Sequence, residues 1–272
     1  MVLWGTLASL GAALVWAVSS LLLKPLSTQF PALALNGLRS LTAAIFFALL
    51  LMATGKEGLL GQTPPGRAAA LLVGTFIGVA VGESLFLLTL RYMDVSRAYP
   101  ISICAYPLVT VLLAAVFLGE TLTWAAALGA ALVLAGTFLV AAPHGGFSST
   151  LSPQEKTGLL LVGLTVVTWG IATVLIREGV RGSDIVVANT LRLSGTALAI
   201  LLVTYRDWGR FLRHGRAVPA GAPSRTDPPL SRRRLLALGA ITGFLSFGIG
   251  GALFLIALEY VGAGRTSLLS SV

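Results

Sequence analysis

Eight stretches of this chain are each long and apolar enough to cross the hydrocarbon core of a bilayer, and they leave little of the chain over. They fall at about 3–23, 33–54, 68–90, 97–118, 121–142, 158–176, 185–204 and 235–258, and a ninth begins near Gly262. About 20 apolar residues suffice for one helical crossing. Backbone groups in lipid must be satisfied within each segment, so such runs fold as helices. Barrel strands would alternate apolar and polar residues, and these runs do not. The connections carry turn chemistry: Gly55 to Gly66 with Pro64 and Pro65, and Pro143 to Pro153 with Gly145 and Gly146. The expectation is an all-α integral membrane protein with about nine crossings.

Composition removes the soluble alternative. Charged residues make up 11% of the chain and hydrophobic ones 56%, against about a quarter charged in a soluble domain. A soluble fold of this size cannot hide so much apolar side chain. The net charge of +9 does not indicate nucleic acid, because the arginines cluster in short gaps between apolar runs, with no basic domain or aromatic-basic stripe. Cys104 is the single cysteine, and His144 and His214 are the only histidines. An internal disulfide is impossible, and no Cys/His metal cluster or cofactor is expected. Residues Met1 to Leu23 lack a basic n-region and exceed a signal-peptide core, so they read as a retained first helix.

The most polar stretch, Tyr205 to Arg234, holds eight arginines against Asp207 and Asp227. It reads as a solvated loop that also touches anionic headgroups. The positive-inside rule places this loop in the cytoplasm and the N-terminus outside.

The chain repeats itself. A shift of 153 places Trp16 on Trp169, Lys24 on Arg177, Asn36 on Asn189, Leu38 on Leu191 and Arg39 on Arg192. A shift of 168 places Gly82 on Gly250, Leu85 and Phe86 on Leu253 and Phe254, Tyr92 on Tyr260 and Arg97 on Arg265. The 15 residues between the shifts are the extra length of the arginine-rich loop. The repeat unit has five helices, so its second copy enters the membrane upside down. Inverted repeats recur in secondary transporters, where opposed halves rock about a midplane site. Val272 falls on Cys104, whereas the first unit runs to about Ala142. The second unit is therefore expected to lack most of helix nine and all of helix ten.

From Val95 to Trp124 the sequence reads VSRAYPISICAYPLVTVLLAAVFLGETLTW. Small and polar residues open helix four, Pro107 sits within it, and Leu118-Gly119-Glu120 closes it before Leu122-Thr123 starts helix five. Helix five carries Gly129 and Gly136. With the two five-helix units, this segment resembles the EamA-type group of the drug/metabolite transporter superfamily. The resemblance implies a ten-helix transporter fold, here cut off in helix nine. Its first repeat covers residues 3–142, a connecting loop 143–157, and an incomplete second repeat 158–272. It also implies a central cavity lined by helices one to four and six to nine, a place in the cell (plasma) membrane, a cytoplasmic N-terminus and a role in export. On orientation it disagrees with the charge pattern.

Glu83 is the one acid well inside a span. A carboxylate at that depth normally faces the bundle interior with a partner or a task, and desolvation favours its protonated form. Proton coupling or recognition of a substrate amine are its functional readings; a structural hydrogen bond is the plain one. Gly74, Gly78 and Gly82 form a face of spacing four that lets another helix approach. Trp16 and Ser20 share a face of helix one, with Lys24 a turn on, and Trp169, Thr173 and Arg177 repeat this on helix six. Such faces suit a cavity wall, or interfacial anchors with cations turned outward. Asn36 with Arg39, and Asn189 with Arg192, could hold a substrate carboxylate or pair with helix ends and lipid. Tyr99 joins the cavity candidates. Pro100 and Pro107 mark a kink or hinge in helix four. Glu120 reads as a structural acid at the start of helix five.

A secondary transporter exporting metabolites, amino acids or drugs is the leading expectation, with the bilayer and a small-molecule substrate as partners. Proton coupling and a homodimer are further candidates. A facilitative carrier, channel or scaffold is the alternative. An embedded enzyme ranks last, because both histidines fall in loops. No P-loop pattern occurs, so gradients would supply the driving force.

Overall fold

The computed structural model describes residues 1–27, 29–120, 124, 128–129, 131–132, 135–136, 152–214 and 230–271. Among them, seven helices are long and apolar enough to cross a membrane. These are α1 (Val2–Leu21), α3 (Ala32–Ala53), α4 (Pro65–Thr89), α5 (Val95–Leu118), α6 (Pro153–Val180), α7 (Ile185–His214) and α8 (Arg232–Leu269). A short turn, α2 (Lys24–Ser27), joins α1 to α3. Most of the expected fifth helix (121–142), most of the connecting loop and residues 215–229 lie outside the described residues.

Local sequence explains where these helices begin and end. Pro65 and Pro153 occupy first-turn positions, where their missing N–H groups cost nothing. Ser152 and Glu155 cap α6 reciprocally: the hydroxyl accepts from the Glu155 N–H at 3.2 Å, and the carboxylate accepts from the Ser152 N–H at 3.0 Å. Gly119 ends α5 in the left-handed conformation at φ +66°. The eighth and ninth runs form one chain of helix, α8, broken at Gly262 by φ +82° and ψ 174°.

Burial is arranged as lipid requires. Large aliphatic side chains such as Leu14, Leu112, Val116 and Leu202 face outward. Hydroxyl-bearing Ser9, Ser40, Thr75, Ser102, Thr110, Thr165 and Thr242 are fully buried between helices. Lipid tails solvate leucine as well as a neighbouring helix does, so close backbone approach and polar contacts hold the bundle instead. A Cβ on Gly243 would meet the Arg39 backbone at 2.5 Å, which fixes how tightly α8 crosses α3.

The two halves pack in a repeated pattern. α1 packs on α8 as its counterpart α6 packs on α4, and α3 packs on its counterpart α7. The repeat extends to a feature the sequence did not announce. Residues Phe76–Glu83 of α4 and Phe244–Gly250 of α8 wind as π-helix, and the shift of 168 superposes their starts. Such bulges leave carbonyls free and cluster at functional sites.

One boundary differs from expectation. α7 runs about ten residues into the supposed solvated loop, to His214. The cause is an aromatic contact: Phe211 is buried, with its ring 5.0 Å from Phe30, and Trp208 stacks 5.1 Å from Phe30. An amphipathic helical end therefore replaces the start of that loop.

Candidate functional site

Between the two units lies a cavity of some 870 Å³ of empty space, its open mouth included. Its walls come from all seven spans, and they are mostly apolar and aromatic with a few polar groups, the usual make-up of a ligand pocket. Both π segments contribute: Gly78, Val79 and Glu83 from α4, Ser246 and Phe247 from α8.

Trp16 and Trp169 both line the cavity, each pressed on the other unit's π segment. A Cβ on Gly250 would meet the Trp16 ring nitrogen at 2.6 Å, and one on Gly82 would meet Trp169 Cδ1 at 2.6 Å. Trp16 Nε1 donates to the Ser246 carbonyl at 3.0 Å, using an oxygen that the π winding makes available. Phe254 stacks on Trp16 at 5.2 Å, and Phe86 and Tyr106 flank Trp169 at 5.6 and 6.3 Å. Both indoles are half-buried cavity-wall residues rather than lipid-facing anchors.

Charge is distributed unevenly between the units. Arg39 is 1% exposed; its Nη1 donates to Asn36 Oδ1 at 2.8 Å and to Glu83 Oε2 at 2.9 Å, and its guanidinium lies 4.3 Å over the Phe247 ring. Asn36 in turn donates to the Val79 carbonyl and the Ser84 hydroxyl. In the second unit, Arg192 Nε and Nη2 donate to Asn189 Oδ1 at 2.9 and 2.7 Å, and Asn189 donates to the Ile185 carbonyl. Arg39, Glu83 and Arg192 are in the cavity wall; Asn36 and Asn189 sit behind it and orient the arginines.

Ser20, Tyr99 and Thr173 also reach the wall. Ser20 donates to the Ala17 carbonyl, and Thr173 pairs with the Tyr106 hydroxyl at 3.2 Å. Pro100 and Pro107 are not in the wall, and α5 runs unbroken through both.

The repeat-related cations Lys24 and Arg177 do not line the cavity either. Lys24 donates to the carbonyls of Leu90 and Met93 and lies 3.6 Å from Asp94. Arg177 pairs with Glu259 at 3.2 Å and approaches Glu120 at 4.0 Å. Glu120 does more than its sequence position suggested. Its two carboxylate oxygens accept the N–H groups of Ala263 and Gly264 at 2.8 and 2.9 Å, so an acid of the first unit caps the helical segment after Gly262 in the second. On the same side, desolvation alone would raise the Asp184 carboxyl. Hydrogen bonds from Lys56 and from the N–H groups of Val187 and Val186, with the Lys56 charge, outweigh it and hold that carboxyl below its ordinary range.

No signal for Phe86, Tyr106, Ser246, Phe247 or Phe254 in the wall was drawn from the sequence. Phe86 and Phe254 could have been found, because the repeat superposes them.

A solved crystal structure resembles the chain over 98% of its length and 85% of the other chain, with a TM-score of 0.59 and 23% identity, a likeness of fold. No curated protein sequence matches. The EamA-like transporter family matches residues 3–142 and again 156–272, and on that double match this chain belongs to the EamA-like transporter family.

Proposed function

We propose that the protein is a secondary carrier that exports small organic molecules, metabolites, amino acids or drugs among them, by alternating access. The observation that carries this is the exchange of Trp16 and Trp169. Each packs on the π segment of the opposite unit, and the cavity lies between them. A motion of one unit against the other must carry both walls together, and two opposed halves about one pocket can open it to either side in turn.

The substrate sits between the tryptophans, within reach of Arg192 and of the Arg39–Glu83 pair. Glu83 is the coupling group of this proposal. Its side chain is 19% exposed toward the cavity, and exchange of its Arg39 bond for a proton is the coupling step proposed.

The test is counterflow in proteoliposomes, with substrates chosen by thermal-shift screening of amino acids, nucleosides and cationic drugs. Saturable exchange of labelled for unlabelled substrate is expected. Linear flux without saturation identifies a channel and refutes the carrier.

A further inference from the structure

Resting on the carrier reading, we infer that the transported molecule is a small organic monoanion whose carboxylate seats on Arg192 and whose apolar body lies against the tryptophan walls. Among the charged cavity-wall positions the two units differ at one. In the first, Arg39 has Asn36 beside it and Glu83 opposite. In the second, Arg192 has Asn189 beside it, and the shift of 168 puts Gly251 where Glu83 would stand.

Geometry agrees with that substitution. A Cβ built on Gly251 would lie 2.7 Å from Arg192 Nη2, so the missing side chain would point straight at the guanidinium. Among the described residues, no carboxylate comes within 4.0 Å of Arg192, and its Nη1 has no hydrogen-bond partner. Arg192 is 5% exposed, and that remaining surface faces the cavity.

An ionised group at membrane depth requires a counter-charge. The charged side chains in the described cavity wall are Arg39, Arg192 and Glu83, which leaves one positive charge uncompensated. A monoanion neutralises it. A zwitterion leaves it unchanged, and a cation adds to it. A carboxylate also matches the planar donor fork of arginine. Phe254 and Trp16, stacked beside Gly250 and Gly251, offer an apolar surface next to the fork.

Isothermal titration of the detergent-solubilised protein with three ligands of one shape tests this. The ligands are 3-phenylpropionate (an anion), phenylalanine (a zwitterion) and phenethylamine (a cation). The expected order of affinity follows that sequence, with the anion ahead of each of the others by about tenfold or more. Arg192→Gln should weaken 3-phenylpropionate by at least about tenfold. Gly251→Glu, which restores the missing anion, should do the same and should weaken 3-phenylpropionate more than Gly251→Gln, which fills the same space beside Arg192 without the charge. Equal or tighter binding of phenylalanine or phenethylamine overturns the inference, as does absence of 3-phenylpropionate binding. Unaltered binding in a folded Gly251→Glu protein also overturns it. If that variant does not fold, the ligand series and Arg192→Gln decide. A bound acid that shows no counterflow would refute the carrier and leave the anion site standing, so the two failures are distinct.

Discussion

Gly250 lies so close beneath Trp16 that an added Cβ would stand 2.6 Å from the indole nitrogen. The inverted copy of this contact, Gly82 beneath Trp169, has the same closest approach. Each tryptophan belongs to one unit and each glycine to the other, so the cavity walls are held by contacts that cross between the units. A glycine is required because the indole already fills the space a side chain would use.

Replacing either glycine by alanine therefore has a calculable cost. Gly82→Ala and Gly250→Ala should each destabilise the folded protein by about 1–3 kcal/mol, through overpacking against the ring. Gly163→Ala, where nothing lies within 4 Å, should be neutral or slightly stabilising because it removes a helical glycine. Thermal unfolding in detergent checks the three together. Equal behaviour of all three would show that the indole contacts yield freely.

Glu83 and Arg39 should behave as a unit. Glu83→Gln leaves a fully buried guanidinium without its anion, a change that costs about 3–5 kcal/mol when a buried pair is broken from one side. The double substitution Glu83→Gln with Arg39→Gln should recover much of that loss. Under the proposed coupling, Glu83→Gln should also abolish proton-driven flux while sparing exchange. Preserved proton-driven flux in the variant removes Glu83 from the coupling mechanism.

The residues that proved legible in the sequence are those the repeat and the bilayer constrain. Trp16, Trp169, Arg39 and Arg192 stood out because a rare residue type recurred at one shift, and Glu83 because an acid in hydrocarbon needs a reason. What those arguments could not supply was direction. Asn36 and Asn189 share the repeat with their arginines, yet they turn away from the cavity and brace the guanidinium groups. The π winding was hidden because its glycines, Gly78, Gly82 and Gly250 among them, read equally well as helix-packing contacts. The partners of Glu120 were hidden for a different reason. Its partners, Ala263 and Gly264, are more than 140 residues away and are backbone groups, which leave no mark in sequence.

Acid should weaken the junction before α7. The carboxyl of Asp184 is held below its ordinary pKa in the folded protein, chiefly by Lys56 once desolvation is overcome, so the folded state binds its proton less readily than the unfolded chain does. Its contribution is thus fully present above the unfolded value of about 3.9 and is lost as pH falls through the lowered folded value. Asp184→Asn should flatten that part of the acid limb, measured as stability against pH in detergent. It should also cost about 1 kcal/mol at neutral pH by weakening the cap on the Val186 and Val187 N–H groups. An acid limb of the same steepness in the variant would show that Asp184 does not contribute to it.

The Glu120 tether should be as sensitive to charge as to shape. Its carboxylate accepts two N–H groups at once and lies 25% exposed beside Arg177, which also holds Glu259. Glu120→Gln keeps the size but leaves one oxygen and one NH2 group, and the NH2 faces a backbone N–H that it cannot accept from. One of the two capping bonds is lost and a donor meets a donor. The expected penalty is about 1–3 kcal/mol. Glu120→Asp preserves the charge but shortens the reach, so it should be intermediate. Gly262 makes the same junction possible by taking φ +82°, and Gly262→Ala should cost about 1–3 kcal/mol, through backbone strain and because the added Cβ would stand 2.7 Å from Glu120 Oε1. Combining Gly262→Ala with Glu120→Gln measures the coupling between these two contacting positions. If the cap depends on the bend at Gly262, the double variant should lose less than the sum of the single losses, because either change alone already loosens the contact. Strict additivity in thermal unfolding would mean that the carboxylate and the glycine stabilise this end of the bundle independently, and the tether between the units would then have to be sought elsewhere.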